Sequence, residues 1–317
     1  MTYSVGGLVQ ATDFNTLVGG NPVTAPNTLN TVWATGGTNA GYGQTAVSQV
    51  SAGGTIAASD WVSLLNSTGS AASHQGTSIL SVTTPVSGGS VAYQANIPTN
   101  LTSIYSSKLN AATQGTTLSN TVSYGSTWSQ ALTFTFTISF PSGDAARYFF
   151  NAGGQLKVTC AHANTAIGIN LMLNQLASNI GTVVMSSPTS GTATISSVPY
   201  NGITKIGGGG ATPTINTNAG YYAMNTSNTT LFSQTVSTGY SSYQATNIAM
   251  NGKSNGTQGS NGDAGSVITL YATWDEIPDG LVVGTGTTTT VTVQVPETSY
   301  IANSWGAISI SGTASGS

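Results

Sequence analysis

The segment that most narrows the choice of fold is Leu132-Thr133-Phe134-Thr135-Phe136-Thr137-Ile138-Ser139-Phe140, where large apolar residues alternate with hydroxyl residues at every second position. A period of two puts all the apolar side chains on one face of a strand and all the hydroxyls on the other. One face is therefore buried and the other meets water, the pattern of an antiparallel sheet packed on one side. Further runs of strand composition are Val91 to Ile97, Gln155 to Ala161, Thr182 to Met185, Thr192 to Val198, Val267 to Trp274 and Thr288 to Val295. Turn chemistry separates them. Asn201-Gly202, Asn251-Gly252, Asn255-Gly256 and Asn261-Gly262 offer the positive φ angles that tight hairpin turns require. The expected fold is mainly β (α+β), an antiparallel β-sandwich-like region preceded by a small helical N-terminal region.

The helical signals are few and specific. Ala11-Thr12-Asp13-Phe14-Asn15-Thr16-Leu17 and Ala58-Ser59-Asp60-Trp61-Val62-Ser63-Leu64 each place a hydroxyl and an acid before an aromatic, with a leucine three positions on. The acid suits the first turn of a helix, where N–H groups lack partners, and the aromatic and leucine share a face. A short helix is predicted from Pro26 to Trp33. Another is predicted from Ile169 through Met172, Leu173, Leu176 and Ile180, which recur at helical spacing. A further short helix is expected at Ala145 to Asn151, with Asp144 as its cap. A Gly/Ser/Thr stretch from Thr68 to Ser90 reads as a link. The chain thus divides into a helical docking region, 1–80, and a β-rich domain, 81–317, with one or two short helices.

Charge is scarce: charged residues make up 4% of the 317-residue chain, where about 25% is ordinary. The formal net charge is -3, and residues 1–143 hold only Asp13, Asp60 and Lys108. Without a basic patch there is nothing to neutralise phosphates, so no nucleic-acid partner is expected. No apolar run approaches the roughly 18 to 20 residues of a spanning helix, and the opening Met1-Thr2-Tyr3-Ser4-Val5 has no signal-peptide character. No membrane insertion is expected, and synthesis is expected in the cytoplasm. Near-neutral surfaces also favour association, a property suited to an assembly subunit.

Few residues offer chemistry. Cys160 and His162 lie two apart on a predicted strand, too few ligands for a metal site and poorly spaced for a nucleophile pair. Asp275, Glu276 and Asp279 form the one acidic cluster; they lack the spacing of a calcium loop and read as a solvated turn. As paired carboxylates they would be the candidates for glycoside cleavage. Gly207 to Gly210 lacks the lysine and hydroxyl residue that a phosphate-binding loop carries. Arg147, the single arginine, lies beside Asp144 and reads as an ion pair or cap at a packed turn, with a subunit contact shared by Tyr148 and Phe149 as the alternative. Tyr221, Tyr222, Tyr240 and Tyr243 read as core or interface before sugar-stacking residues. No catalytic residue, metal or cofactor is expected, and the chain reads as non-enzymatic.

Two stretches carry a resemblance. Asp13-Phe14-Asn15-Thr16-Leu17, Leu29-Asn30-Thr31-Val32-Trp33, Gly41-Tyr42-Gly43-Gln44 and Val50 to Ile56 leading to Asp60-Trp61 form the first; Phe140 to Gly154 forms the second. Over roughly a third of the chain these resemble virion structural proteins of tailed bacteriophages. The resemblance implies a tail, collar or fibre component located in the virion, docking on other virion proteins through its N-terminal region by way of Phe14, Leu17, Trp33 and Trp61. It implies assembly with copies of itself, as a homotrimer or higher homo-oligomer. A capsid decoration protein is one alternative. The other is an adhesin that touches host surface glycan through the loops between about Asn201 and Asn261.

Overall fold

The computed structural model describes residues 9–20, 27–37, 39–88, 94–188, 191–236, 245–258, 262–276 and 280–317. Among these the chain is mainly β, with antiparallel sheets packed as a sandwich. One sheet runs β1 (Gln114–Tyr124), β12 (Thr287–Pro296), β3 (Gln155–His162), β4 (Thr182–Met185) and β7 (Ile203–Ile206) in spatial order. The other runs β13 (Ser309–Gly316), β2 (Ala131–Ser139), β11 (Val267–Asp275), β10 (Asn247–Ser254), β9 (Thr229–Thr235) and β8 (Thr214–Ile215). The hairpin of β5 (Ala193–Ile195) and β6 (Val198–Tyr200) closes a small second core against Ala111 and Val184. The helices are α1 (Ala11–Val18), α2 (Leu29–Val32), α3 (Ala58–Gln75), α4 (Asn96–Ser106), α5 (Gly143–Asn151) and α6 (Ile169–Ile180).

The alternation in β2 decides how the sandwich is filled. Leu132, Phe134, Phe136 and Ile138 are buried, while the hydroxyl residues between them are only partly covered. Its partner β11 repeats the pattern in register, Phe134 opposite Ala272 and Phe136 opposite Leu270. Between the sheets the space narrows to a void of about 10 Å³ lined by Phe136, Leu156, Val158 and Val291, room for at most one water. The interior is packed side chain, with no ligand chamber there.

Several sequence expectations change. Within Val91 to Ile97, residues 91–93 lie outside the described residues and Asn96 and Ile97 open α4, because Ile97, Leu101 and Ile104 supply a helical apolar face. The expected link from Thr68 begins as the last turns of α3, whose small Ala71 and Ala72 are buried. Thr192 to Val198 bends into the β5–β6 hairpin, with Ser196 and Ser197 at φ of 50° and 65° in place of the usual Asn-Gly. Asn251-Gly252, expected as a turn, sits inside β10, where Met224, Leu231 and Leu270 close so tightly over Gly252 that a Cβ would fall 2.9 to 3.1 Å from them. Asp144 does not cap α5: the Ser142 hydroxyl accepts the Ala145 N–H at 3.1 Å instead.

Residues 40–50 form neither helix nor strand, yet this strap is firmly tied. The N–H groups of Tyr42, Gly43 and Gln44 donate to Val32 O, Ala34 O and Trp33 O, and the other ties are side-chain amides that bond both the N–H and the C=O of one backbone residue, as a neighbouring strand would. Asn15 grips Val50 at 2.8 and 2.8 Å, and Asn30 grips Val47 at 2.9 and 3.0 Å while also donating to Gly19 O. Gln44, on the strap itself, reaches across to Ala302 at 2.9 and 2.8 Å. The device recurs where α4 meets the chain before it, Asn100 on Leu80 and Gln94 on Thr83. A neutral amide carries a donor and an acceptor in one group, so it satisfies irregular backbone without bringing in charge.

Candidate functional site

The four residues expected to dock the N-terminal region divide sharply. Phe14 and Trp61 meet edge to face at 5.2 Å and, with Leu17, lie in the core. Their side chains are spent within the chain, because the faces that α1 and α3 make with these residues pack on one another. Trp33 differs. Of the five tryptophans, Trp61, Trp128, Trp274 and Trp305 are 3% exposed or less, and Trp33 alone stays partly exposed.

Trp33 forms one end of an open groove of about 450 Å³ between the strap and the first turns of α3. The strap wall is Gln44, Thr45, Ala46, Val47 and Ser48; the helix wall is Asp60, Ser63 and Ser67. Those three share a face because they sit at i, i+3 and i+7. Both walls are held from behind. The Trp33 indole N–H donates to Thr45 O at 2.9 Å, and the Ala57 N–H donates to one Asp60 carboxylate oxygen at 2.8 Å, tying the acid to the helix start as the sequence suggests.

The second set of expected contact residues also turns inward. Arg147 is 1% exposed and donates to Thr35 O and Ala40 O at 2.7 Å each, while pairing with Asp144 at 3.0 Å. The Tyr148 ring lies on Gly43, whose φ of 67° and closeness leave no room for a Cβ. Phe149 packs at 5.0 Å edge to face with Phe150, which stacks on Tyr221 at 4.3 Å. Asn151 donates to Gly41 O and accepts from the Tyr222 hydroxyl. The motif from Phe140 to Gly154 thus anchors the strap to the sandwich, and neither Arg147 nor Phe149 is presented to a partner.

The remaining candidates do not converge. His162 has both ring nitrogens occupied, by Thr287 at 2.9 Å and Asn170 at 3.1 Å, and burial lowers its pKa. Burial pushes the Cys160 thiol up to about 12, with the Thr289 hydroxyl drawing it back slightly, so it stays protonated. Asp275 is partly exposed near Asn247, Glu276 is fully buried, and Asp279 lies outside the described residues. Among the described residues no group of three His, Cys, Asp or Glu is placed to hold a metal ion. Gly207 to Gly210 is bound into the fold, with Gly209 N–H donating to Asn179 O and Gly209 O accepting from Gln234. Tyr221 is buried and Tyr222 is engaged with Asn151, whereas Tyr240 and Tyr243 lie outside the described residues.

The two rims of the sandwich are built differently. At one rim β7 and β8 are four and two residues long, β7 carries Lys205, and the Gly207–Gly210 loop crosses toward α6 and β9. Short strands and an edge lysine are the usual guards of a sheet edge. At the other rim β1 and β13 run for eleven and eight residues with no charge and no proline. They pack across the rim, Val122 and Tyr124 of β1 seated on Gly312 and Gly316. No family model, curated protein or solved structure matches this chain.

The open rim has a definite hydrogen-bonding face. Ser317 donates to Ala131 O, and β13 pairs β2 in continuous antiparallel register. By alternation Ser309, Ser311, Thr313 and Ser315 turn their backbone groups to β2, while Ile310, Gly312, Ala314 and Gly316 turn theirs outward. The one irregularity in β1 lies at its start, between Gln114 and Thr117. Nothing local in the sequence marks this rim, since β1 has no buried face to advertise it and β13 is almost all Ser, Gly, Thr and Ala.

Proposed function

We propose that this protein is a non-enzymatic structural subunit of a bacteriophage virion, a tail, collar or fibre component that assembles with copies of itself. The observation that carries the reading is the open rim: two long, uncharged strand edges whose outward N–H and C=O groups are a template for another strand. A second copy is the natural occupant, since it brings identical strands and no like charges to oppose them. The resemblance of the N-terminal and Phe140–Gly154 motifs to tailed-phage structural proteins supplies the setting. A two-fold contact would pair β13 with β13, whereas a ring such as a trimer needs β13 of one copy against β1 of the next.

Light scattering on the purified chain tests this directly. An oligomer is expected, and the paired change Ser311→Lys with Thr313→Lys, whose side chains are exposed on β13, is expected to reduce it to monomer without altering the circular dichroism. A wild-type monomer at concentrations of tens of micromolar counts against self-assembly. Mass spectrometry of purified particles tests the virion setting separately.

A further inference from the structure

We propose that the groove beside Trp33 binds a neutral carbohydrate. The groove, about 450 Å³, falls in the range of small-molecule clefts, roughly 300–1,000 Å³. Its lining is one indole, one carboxylate, the hydroxyls of Thr45, Ser48, Ser63 and Ser67, the small apolar Ala46 and Val47, and Gln44, whose amide N–H groups are already given to Tyr42 and Ala302. A sugar ring presents an apolar C–H face and a rim of hydroxyls that donate and accept. An aromatic plate meets the first; a carboxylate and clustered hydroxyls meet the second.

The same lining disfavours other ligands. No Lys, Arg or His lines the groove, so a phosphate, sulfate or acidic sugar would face Asp60 with nothing to compensate its charge. A single carboxylate supplies too few oxygens for calcium. Two serines and a carboxylate on the helix wall leave no apolar stripe for an amphipathic helix.

The walls are set in place before any ligand arrives. Asn30 holds Val47, Ala302 holds Gln44, Thr45 O holds the indole and the Ala57 N–H holds one oxygen of Asp60. The other Asp60 oxygen accepts no hydrogen bond from the described residues. A fixed site loses little freedom on binding, which matters for a weakly bound sugar. Repeated in an oligomer, weak sites reinforce one another.

The full-length chain is first applied to a glycan array holding neutral and sialylated sugars, and the best neutral sugar is then used in solution. Because the other tryptophans are buried, acrylamide quenching reads Trp33. Saturable protection from quenching, severalfold at full occupancy, is expected with the neutral sugar. Ser63→Arg, which fills the groove from an exposed helix position, is expected to abolish both array binding and protection, whereas Ser73→Arg, exposed far along the same helix, leaves them intact. Silence across the array overturns the proposal, as does binding confined to sialylated sugars. Protection that survives Ser63→Arg places the sugar elsewhere and also overturns it. Binding only by a virion protein, competing with no sugar, would make the groove a protein-docking site instead.

Discussion

The sandwich and the strap that lies against it solve the same problem by different means. In the sandwich, backbone groups pair with backbone groups along continuous ladders, and side chains are left to pack, as Phe134 and Phe136 do. In the strap, residues 40–50 have no ladder; Tyr42, Gly43 and Gln44 donate to the carbonyls at the end of α2, and Asn15, Asn30, Gln44 and Arg147 supply further partners one at a time. A ladder tolerates the loss of any single side-chain contact to its backbone. A strap tied by a few groups concentrates its stability in them, so substitutions there should outweigh their size.

Arg147→Met should show the largest effect. It strands the carbonyls of Thr35 and Ala40, at about 1–3 kcal/mol each, and takes its cation from the partly exposed Asp144. Calorimetry checks more than the size: one lowered transition would mean that strap and sandwich melt together, and two transitions that the strap lets go first. Acid provides the next test. His74 on α3 donates to Ala152 O, and burial lowers its pKa from 6.5 to about 4, although the bond to Ala152 and the charge of Glu297 pull it upward. The unfolded chain takes up this proton near 6.5 and the folded chain only near 4, so stability is constant above that interval and falls by about 3 kcal/mol as the pH drops through it. Denaturant titrations at pH 7 and pH 4 should differ accordingly, and His74→Gln should remove much of the difference.

Asn30→Ala should rank third, at about 2 kcal/mol, since it leaves buried backbone groups at Val47 and Gly19 without their partner. Hydrogen exchange should rise first at Val47 and only later in β2 and β11. The smallest effect, about 0.5–1 kcal/mol, is expected from Asp13→Asn, where the carboxylate accepts the Gln10 N–H at the head of α1. An Asp13→Asn effect as large as that of Arg147→Met would mean that the helices, and not the strap's ties, set the stability of this region.

Much of the sandwich was legible because its cause is periodic. The alternation in β2, the spacing of Ile169 to Ile180 and the acids heading α1 and α3 each repeat a local rule, and the fold obeys it. β1 and β10 were missed because no buried stripe marks the first and an Asn-Gly pair sits inside the second. The strap was illegible for a deeper reason: its partners are amides distant in sequence, Gln44 and Ala302 among them, and nothing local announces such a pair. The sequence groups Trp33 with Phe14, Leu17 and Trp61, because nothing local separates an aromatic that closes a core from one left at the mouth of a groove.

Dissolved ions act on proteins largely by screening charges, and here the groups that fasten the strap to its neighbours are dipoles, apart from the buried Arg147 with its partly exposed partner Asp144. Fresh water and brine should find the molecule nearly the same. A body with so little for salt to loosen can pass between environments of different ionic strength with its shape, and its long bare rim, unchanged.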